Sequence, residues 1–178
     1  MKLKLLKKER RRFMVDEKKF KRGDVVIKHG QAFKIIGASN GVIKYRPYFK
    51  KPKNNGLVGS IPVESIEGNY IRKPVSKTRQ YQLIKEILYT PGKIKPSILA
   101  KIKADLGKND FEKALSAIKK LWWEKKDKAR TMTKSKDGVL KRVRRKVVEE
   151  IAVARKISIE QAREMLKRAL RKGWEDAK

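Results

Sequence analysis

The spacing of apolar residues along the chain changes once. From Phe20 to about Val75 they come in short β-branched or aromatic runs, "DVVIK", "AFKIIGA", "GVIKYRPYF" and "LVGSIPV", separated by "HG", "SNG" and "KNNG". Short runs of this kind between Gly- and Asn-rich breaks are the pattern of strands joined by hairpins. Asn40-Gly41 and Asn55-Gly56 suit type I′ turns, in which both central residues take positive φ, and they bracket a middle pair of strands. Pro47 and Pro52 lack a ladder donor, so "RPYFKKPKNNG" reads as an edge strand or an irregular loop. Several short strands so closely spaced predict a small twisted barrel.

From Ser76 onward the period is helical. "KTRQYQLIKEILYT" places Tyr81, Ile84, Ile87 and Leu88 on one face, and Pro91-Gly92 stops it. Pro96-Ser97 opens "ILAKIKADLG", which Gly107 closes, and Asn109 with Glu112 has capping-box spacing ahead of "FEKALSAIKKLWWEKK". In that stretch Phe111, Leu115, Ile118 and Trp122 form one stripe, with Ala114 and Leu121 at its edge. Trp123 falls about 100° further round, among Glu112, Ser116 and Lys119. Trp122 is therefore core. Trp123 is either covered by another segment, for which the basic stretch from Lys125 to Asp137 is the expected cover, or it serves a partner. "EKKDKARTMTKSKDG" reads as a loop. "VLKRVRRKVVEEIAVARK" puts Leu140, Val143, Val147, Ile151 and Ala154 on one side and Lys/Arg on the other. Ser158 and Gln161 form a second capping-box signature before "EQAREMLKRALRK". The expected architecture is α+β: a small β-barrel followed by an all-helical domain of four to five short helices.

Charge sharpens the picture. The 178 residues carry 50 Lys+Arg against 19 Asp+Glu, a net +31, which is far more than solubility requires and destabilises the compact state by self-repulsion. A polyanion is the expected partner, and nucleic acid fits best because basic residues run through the whole length rather than one short tail. Residues 1–19 form a basic arm that either lies on phosphate or is a solvated tail. With no cysteine, thiolate nucleophiles and zinc–cysteine sites are excluded. The apolar part of "MKLKLLKKERRRF" is too brief for a signal-peptide core and no 18-residue apolar run exists, so a cytoplasmic, nucleoid-associated protein without membrane attachment is expected.

Enzyme signatures are lacking. His29 is the single histidine and sits beside Gly30 in a predicted turn, where a structural role is expected. Neither "GASNG" nor "TPGKIK" completes a P-loop, and Glu149-Glu150 on a basic helix reads as internal counter-charge rather than an acid–base dyad. No catalysis, cofactor or metal is expected.

The order of short motifs resembles a known family. "FKRGDVVIKHG", Phe20 to Gly30, is similar to the opening of the CarD family of bacterial transcription regulators, related to the polymerase-binding module of transcription-repair coupling factor. "SIPVESIEGNYIRKPVS", Ser60 to Ser76, resembles that family's Val-Pro strand end and the segment after it, and "KADLGKNDFEKALSAIKKLWWEKK" resembles its helical domain, with Leu121-Trp122 at a family Leu-Trp pair. Coverage is about residues 20–171. The resemblance implies a Tudor-like (SH3-like) barrel over 20–75 that binds the β subunit of bacterial RNA polymerase by strand addition. It also implies a helical domain over 76–178 that touches double-stranded promoter DNA near the upstream edge of the bubble; a monomer is expected.

Leu57, Val58, Gly59, Ser60 and Ile61 match the polymerase-binding edge, with Ser60 where the family carries arginine. Ile98 falls near the family's wedge tryptophan and either inserts at a distorted step or faces the core. Lys101, Lys103, Lys136, Lys141, Arg142 and Arg145 are the candidate phosphate contacts. "RGDVVIKHGQAFKIIGA" also resembles the KOW motif, so a ribosome- or RNA-associated protein is the alternative, and a general DNA-coating protein is a third reading.

Overall fold

The computed structural model describes residues 20–49, 56–63, 66, 71–90, 99–107, 109–127, 129, 131 to 177. The basic arm, Pro52, Asn55, Pro91-Gly92, Pro96-Ser97 and Ile98 lie outside the described residues. The chain divides between Lys73 and Pro74 into two compact units.

In the first unit the short apolar runs become β1 (Val25–Lys28), β2 (Gln31–Ser39), β3 (Val42–Pro47) and β4 (Gly59–Pro62), and a fifth strand outside those runs, β5 (Ile71–Arg72), joins them. They form one antiparallel sheet in the order β4-β3-β2-β1-β5, curled into a half-barrel. Two-residue turns join the first three strands. His29 and Gly30 (φ 49° and 74°) and Asn40 and Gly41 (φ 51° and 70°) all take positive φ, the signature of type I′ turns, whose twist matches that of the strands they link. The register of β2 on β3 slips between Ile35 and Gly37, a bulge that bends the sheet. One face carries the core, Phe20, Val26, Ile35, Ile43, Val63, Ile66 and Ile71, with Phe33 and Ile61 packed at its margin. Each such large apolar side chain contributes about 1.5–3 kcal/mol by leaving water.

Pro47 corrects an expectation. It is neither on an edge strand nor in a loop, because β3 lies between β4 and β2. The next residue, Tyr48, donates its N–H to Ala32 O on β2 (2.9 Å). By strand alternation the nitrogen of Pro47 faces the other way, past the end of β4, whose pairing stops at Tyr45. The missing donor therefore costs no ladder bond.

In the second unit α1 (Lys77–Leu83), capped by the Ser76 hydroxyl, runs into a π-helical turn, Ile84–Leu88. Tyr81 does not share the inner face with Ile84 and Leu88. It is 60% exposed, and Gln80 takes the inner position with Leu83. The Gln80 Nε2 donates to Glu150 O (3.3 Å), which satisfies half of the amide, while its Oε1 is buried without a partner among the described residues. α2 is Leu99–Gly107 and α3 Phe111–Lys126. The cap of α3 is Asp110 rather than Asn109: its carboxylate accepts from the Glu112 and Lys113 amides, while Asn109 is buried at φ 51°. α4 (Lys134–Arg155) starts on a Thr133 cap, so much of the expected loop is helix, and at 22 residues α4 is longer than expected. Lys156, left-handed at φ 54°, turns the chain into α5 (Ile159–Glu175), where Ser158 and Gln161 form both bonds of the capping box.

α3 packs on α4, α4 on α5, and α3 and α5 both on the π turn. Leu115, Ile118, Leu121, Ile151, Leu166 and Leu170 are fully buried between them. Trp122 and Trp123 are both buried, and each meets Trp174 of α5 edge-on, with centroids 6.3 and 5.8 Å apart. Trp174 of α5 thus covers part of Trp123, where the basic stretch from Lys125 to Asp137 is the cover expected from the sequence. Among the described residues no helix is long and apolar enough to cross a membrane.

Candidate functional site

The matched segment Leu57 to Ile61 leads into β4, which forms an edge of the sheet. Val63 donates its N–H to Gly41 O (2.7 Å), which sets the alternation: the amides of Ile61 and Gly59 also face β3, and those of Ser60 and Val58 face outward. Pro62 has no N–H to offer. The outward ladder available to another strand is therefore the N–H and C=O of Ser60 and Val58, with the Pro62 carbonyl beyond. Leu57 and Val58 are 57% and 58% exposed, among the few large apolar side chains left in water. Ile61 turns inward to the core margin. A Cβ on Gly59 would lie 2.6 Å from the Tyr45 ring, so this position takes glycine because Tyr45 lies across it. Tyr45 is itself held by an edge-on contact with Phe33 (5.2 Å) and a bond from Lys28 Nζ to its hydroxyl.

The candidate phosphate contacts separate into different environments. Lys101 and Lys103 are exposed on either side of buried Ile102, about 200° apart around α2, so they do not share one flat surface. On α4, Arg142 and Arg145 are exposed one turn apart, and Lys141 is exposed beside them. Sequence reasoning passed over Arg144, also exposed, and Lys146, half-buried on the same helix. The ammonium of Lys146 has its pKa lowered by burial and then by Arg142 and Arg145, against a raising effect of Glu149. The cluster is thus one of mutually repelling cations, which a polyanion would relieve. Lys141 is shared with Asp137 (2.8 Å), which Lys125 also reaches (2.6 Å).

Lys136 is half-buried. Its side chain is 18% exposed and pairs at 2.5 Å with Glu124, 5% exposed on α3. The ion pair sets it apart from the more open cations Lys141, Arg142 and Arg145. α5 presents a second basic face that periodicity alone would have shown: Arg163, Lys167, Arg168, Arg171 and Lys172 are all exposed.

The sequence matches no protein-family model and no curated protein.

Proposed function

We propose that the chain is a CarD-like transcription regulator and not an enzyme. Its curled sheet acts as a Tudor-like barrel whose β4 edge pairs with a strand of the bacterial RNA polymerase β subunit, and its helical unit rests on promoter DNA near the upstream edge of the bubble. The observation that carries the reading is the place of Ser60. It lies at the centre of an edge strand, with N–H and C=O directed outward and exposed Leu57 and Val58 beside it, the arrangement that strand addition uses. Bond-forming groups of the backbone supply affinity there, so serine in place of the family's arginine leaves the ladder intact. Exposed Lys101, Lys103, Lys141, Arg142 and Arg145 support the DNA half of the reading.

The test is affinity purification of the full chain from its native cells, wild type beside Ser60→Pro. The variant deletes an outward donor and no bond to β3. Polymerase recovered with the wild type and lost with the variant is the expected result. Ribosomes in place of polymerase, or polymerase retained by the variant, would overturn it.

A further inference from the structure

The face of the sheet opposite the core carries cations in register. Lys34 of β2 stands directly across from Arg46 of β3, and Lys44 lies two residues along β3, opposite Ser60 of β4. All three are exposed, while their strand neighbours Ile35, Ile43 and Tyr45 turn inward and are buried. Directly opposed side chains on one face lie about 4.5–5.5 Å apart at Cβ, and like charges so placed destabilise a sheet. Neither an acidic side chain nor any other ion-pair partner meets these three among the described residues. The unit's one described acid, Asp24, holds the Lys21 amide (3.0 Å) and Lys73 (3.9 Å) instead. An arrangement that opposes folding and offers three close, unneutralised cations on a firm strand scaffold is suited to a polyanion.

We propose that this outer face, Lys34, Lys44 and Arg46, binds the phosphate backbone of duplex DNA, a second contact beyond the helical unit's. Single-strand platforms stack successive bases on several aromatic rings, and here the strand aromatics Phe33 and Tyr45 point to the core side, leaving Tyr48 at 39% exposure beyond the end of β3. Duplex phosphate, which needs charge alone, fits better. Strand addition at β4 extends the sheet sideways and needs no part of the exposed side chains of Lys34, Lys44 and Arg46, so the polymerase contact proposed above and this DNA contact are compatible. The inference rests on that reading only for DNA being the partner.

The experiment is duplex DNA binding by the full chain across a salt series, comparing wild type, the triple variant Lys34→Gln/Lys44→Gln/Arg46→Gln, and Arg142→Gln/Arg145→Gln. Three lost phosphate contacts should make the slope of log K against log salt shallower by about 2.7, at about 0.9 per phosphate. The triple variant's thermal midpoint should hold or rise, since a like-charge pair is removed. Lys34→Arg/Lys44→Arg, which keeps the charge, should keep the slope. An unchanged slope in the triple variant with a shallower one in the helix variant would overturn this proposal and leave the helical contact standing. The reverse pattern would sink the helical contact alone. A fall in midpoint would make the cations structural, and a greater loss for single strands or for RNA would name another ligand; either result overturns the proposal.

Discussion

Gly173 of α5 and Leu88 of the π turn meet backbone to backbone: a Cβ built on Gly173 would stand 1.8 Å from the Leu88 carbonyl oxygen. Glycine inside a helix costs about 1 kcal/mol relative to alanine, so its presence here is explained by the approach it permits. Gly173→Ala should destabilise the protein by about 2 kcal/mol or more, since a carbonyl cannot step aside as a side chain can. Gly138, exposed near the start of α4, has open space around the same hypothetical atom. Gly138→Ala should be neutral or stabilise by up to about 1 kcal/mol. Urea unfolding of the two variants reads the difference, and equal effects would show that α5 can shift away from the turn.

Trp123 sits edge-on to Trp174 with planes inclined by 70°, and Lys119 Nζ lies 4.5 Å from its ring centroid. The indole is buried and its Nε1–H finds no acceptor among the described residues. Burial lowers the pKa of Lys119, whose ammonium is held over the ring and donates to Thr90 O. Trp123→Ala should cost about 3–5 kcal/mol through the cavity it opens. Trp123→Phe should cost less than about 2 kcal/mol, because it also removes a buried, unsatisfied donor. DNA affinity of the folded variants should stay at the wild-type value. In a chain with Trp122 and Trp174 replaced by phenylalanine, Trp123 fluorescence should resist iodide; quenching as fast as free indole would contradict burial.

The sheet was largely legible because strand signals are local. Asn40-Gly41 announced its turn, and along "VIKYRP" inward Ile43 and Tyr45 do alternate with outward Lys44 and Arg46. The helix starts were legible where the cap was of the usual kind, as at Ser158. What escaped depended on neighbours distant in sequence. Gln80 is inside because Glu150, 70 residues on, supplies an acceptor, and no periodicity shows that. Lys136 reads as one more surface lysine until Glu124 of α3 is seen beside it. Asp110 took the cap from Asn109 because Asn109 tolerates the left-handed conformation that turns the chain into α3. Of the proposed contact surfaces, the edge position of β4 required the strand order, whereas the α4 cations were already visible as a helical face.

Asp137 in the first turn of α4 bonds Lys125 and Lys141, and those bonds, Lys125's first, lower its carboxyl pKa from 3.8 to about 2. A carboxylate whose folded pKa lies below its unfolded value adds stability that is fully present above about pH 4 and is lost as pH falls toward 2. The stability difference between wild type and Asp137→Asn should therefore be greatest near neutral pH and close between about pH 4 and pH 2. Because all three side chains are solvated to some degree, salt should shrink it as well. Urea unfolding at stepped pH and low ionic strength tests this; a difference that persists at pH 2 would assign the effect to helix geometry rather than charge.

Lys136 and Arg142 lie on the same helix yet should answer opposite assays. Lys136 bridges α4 to Glu124 in a setting with little water, where a bond to a charged group is worth about 1.5–3 kcal/mol. Lys136→Met keeps the stem that packs there and removes the ammonium, so it should destabilise by roughly that amount. Duplex DNA binding of the folded variant should be unchanged, since the ammonium is half-buried and already held by Glu124. Arg142→Gln removes an exposed cation from a repelling cluster with Arg145 and Lys146, so stability should hold or rise slightly, by under about 0.5 kcal/mol. Affinity for every duplex sequence should fall together, with the salt slope shallower by about 0.9. Thermal unfolding and anisotropy on the same two proteins separate the cases. A Lys136→Met chain of wild-type stability and weakened DNA binding would return Lys136 to the interaction surface and place Glu124 in the role of a counter-ion that nucleic acid displaces.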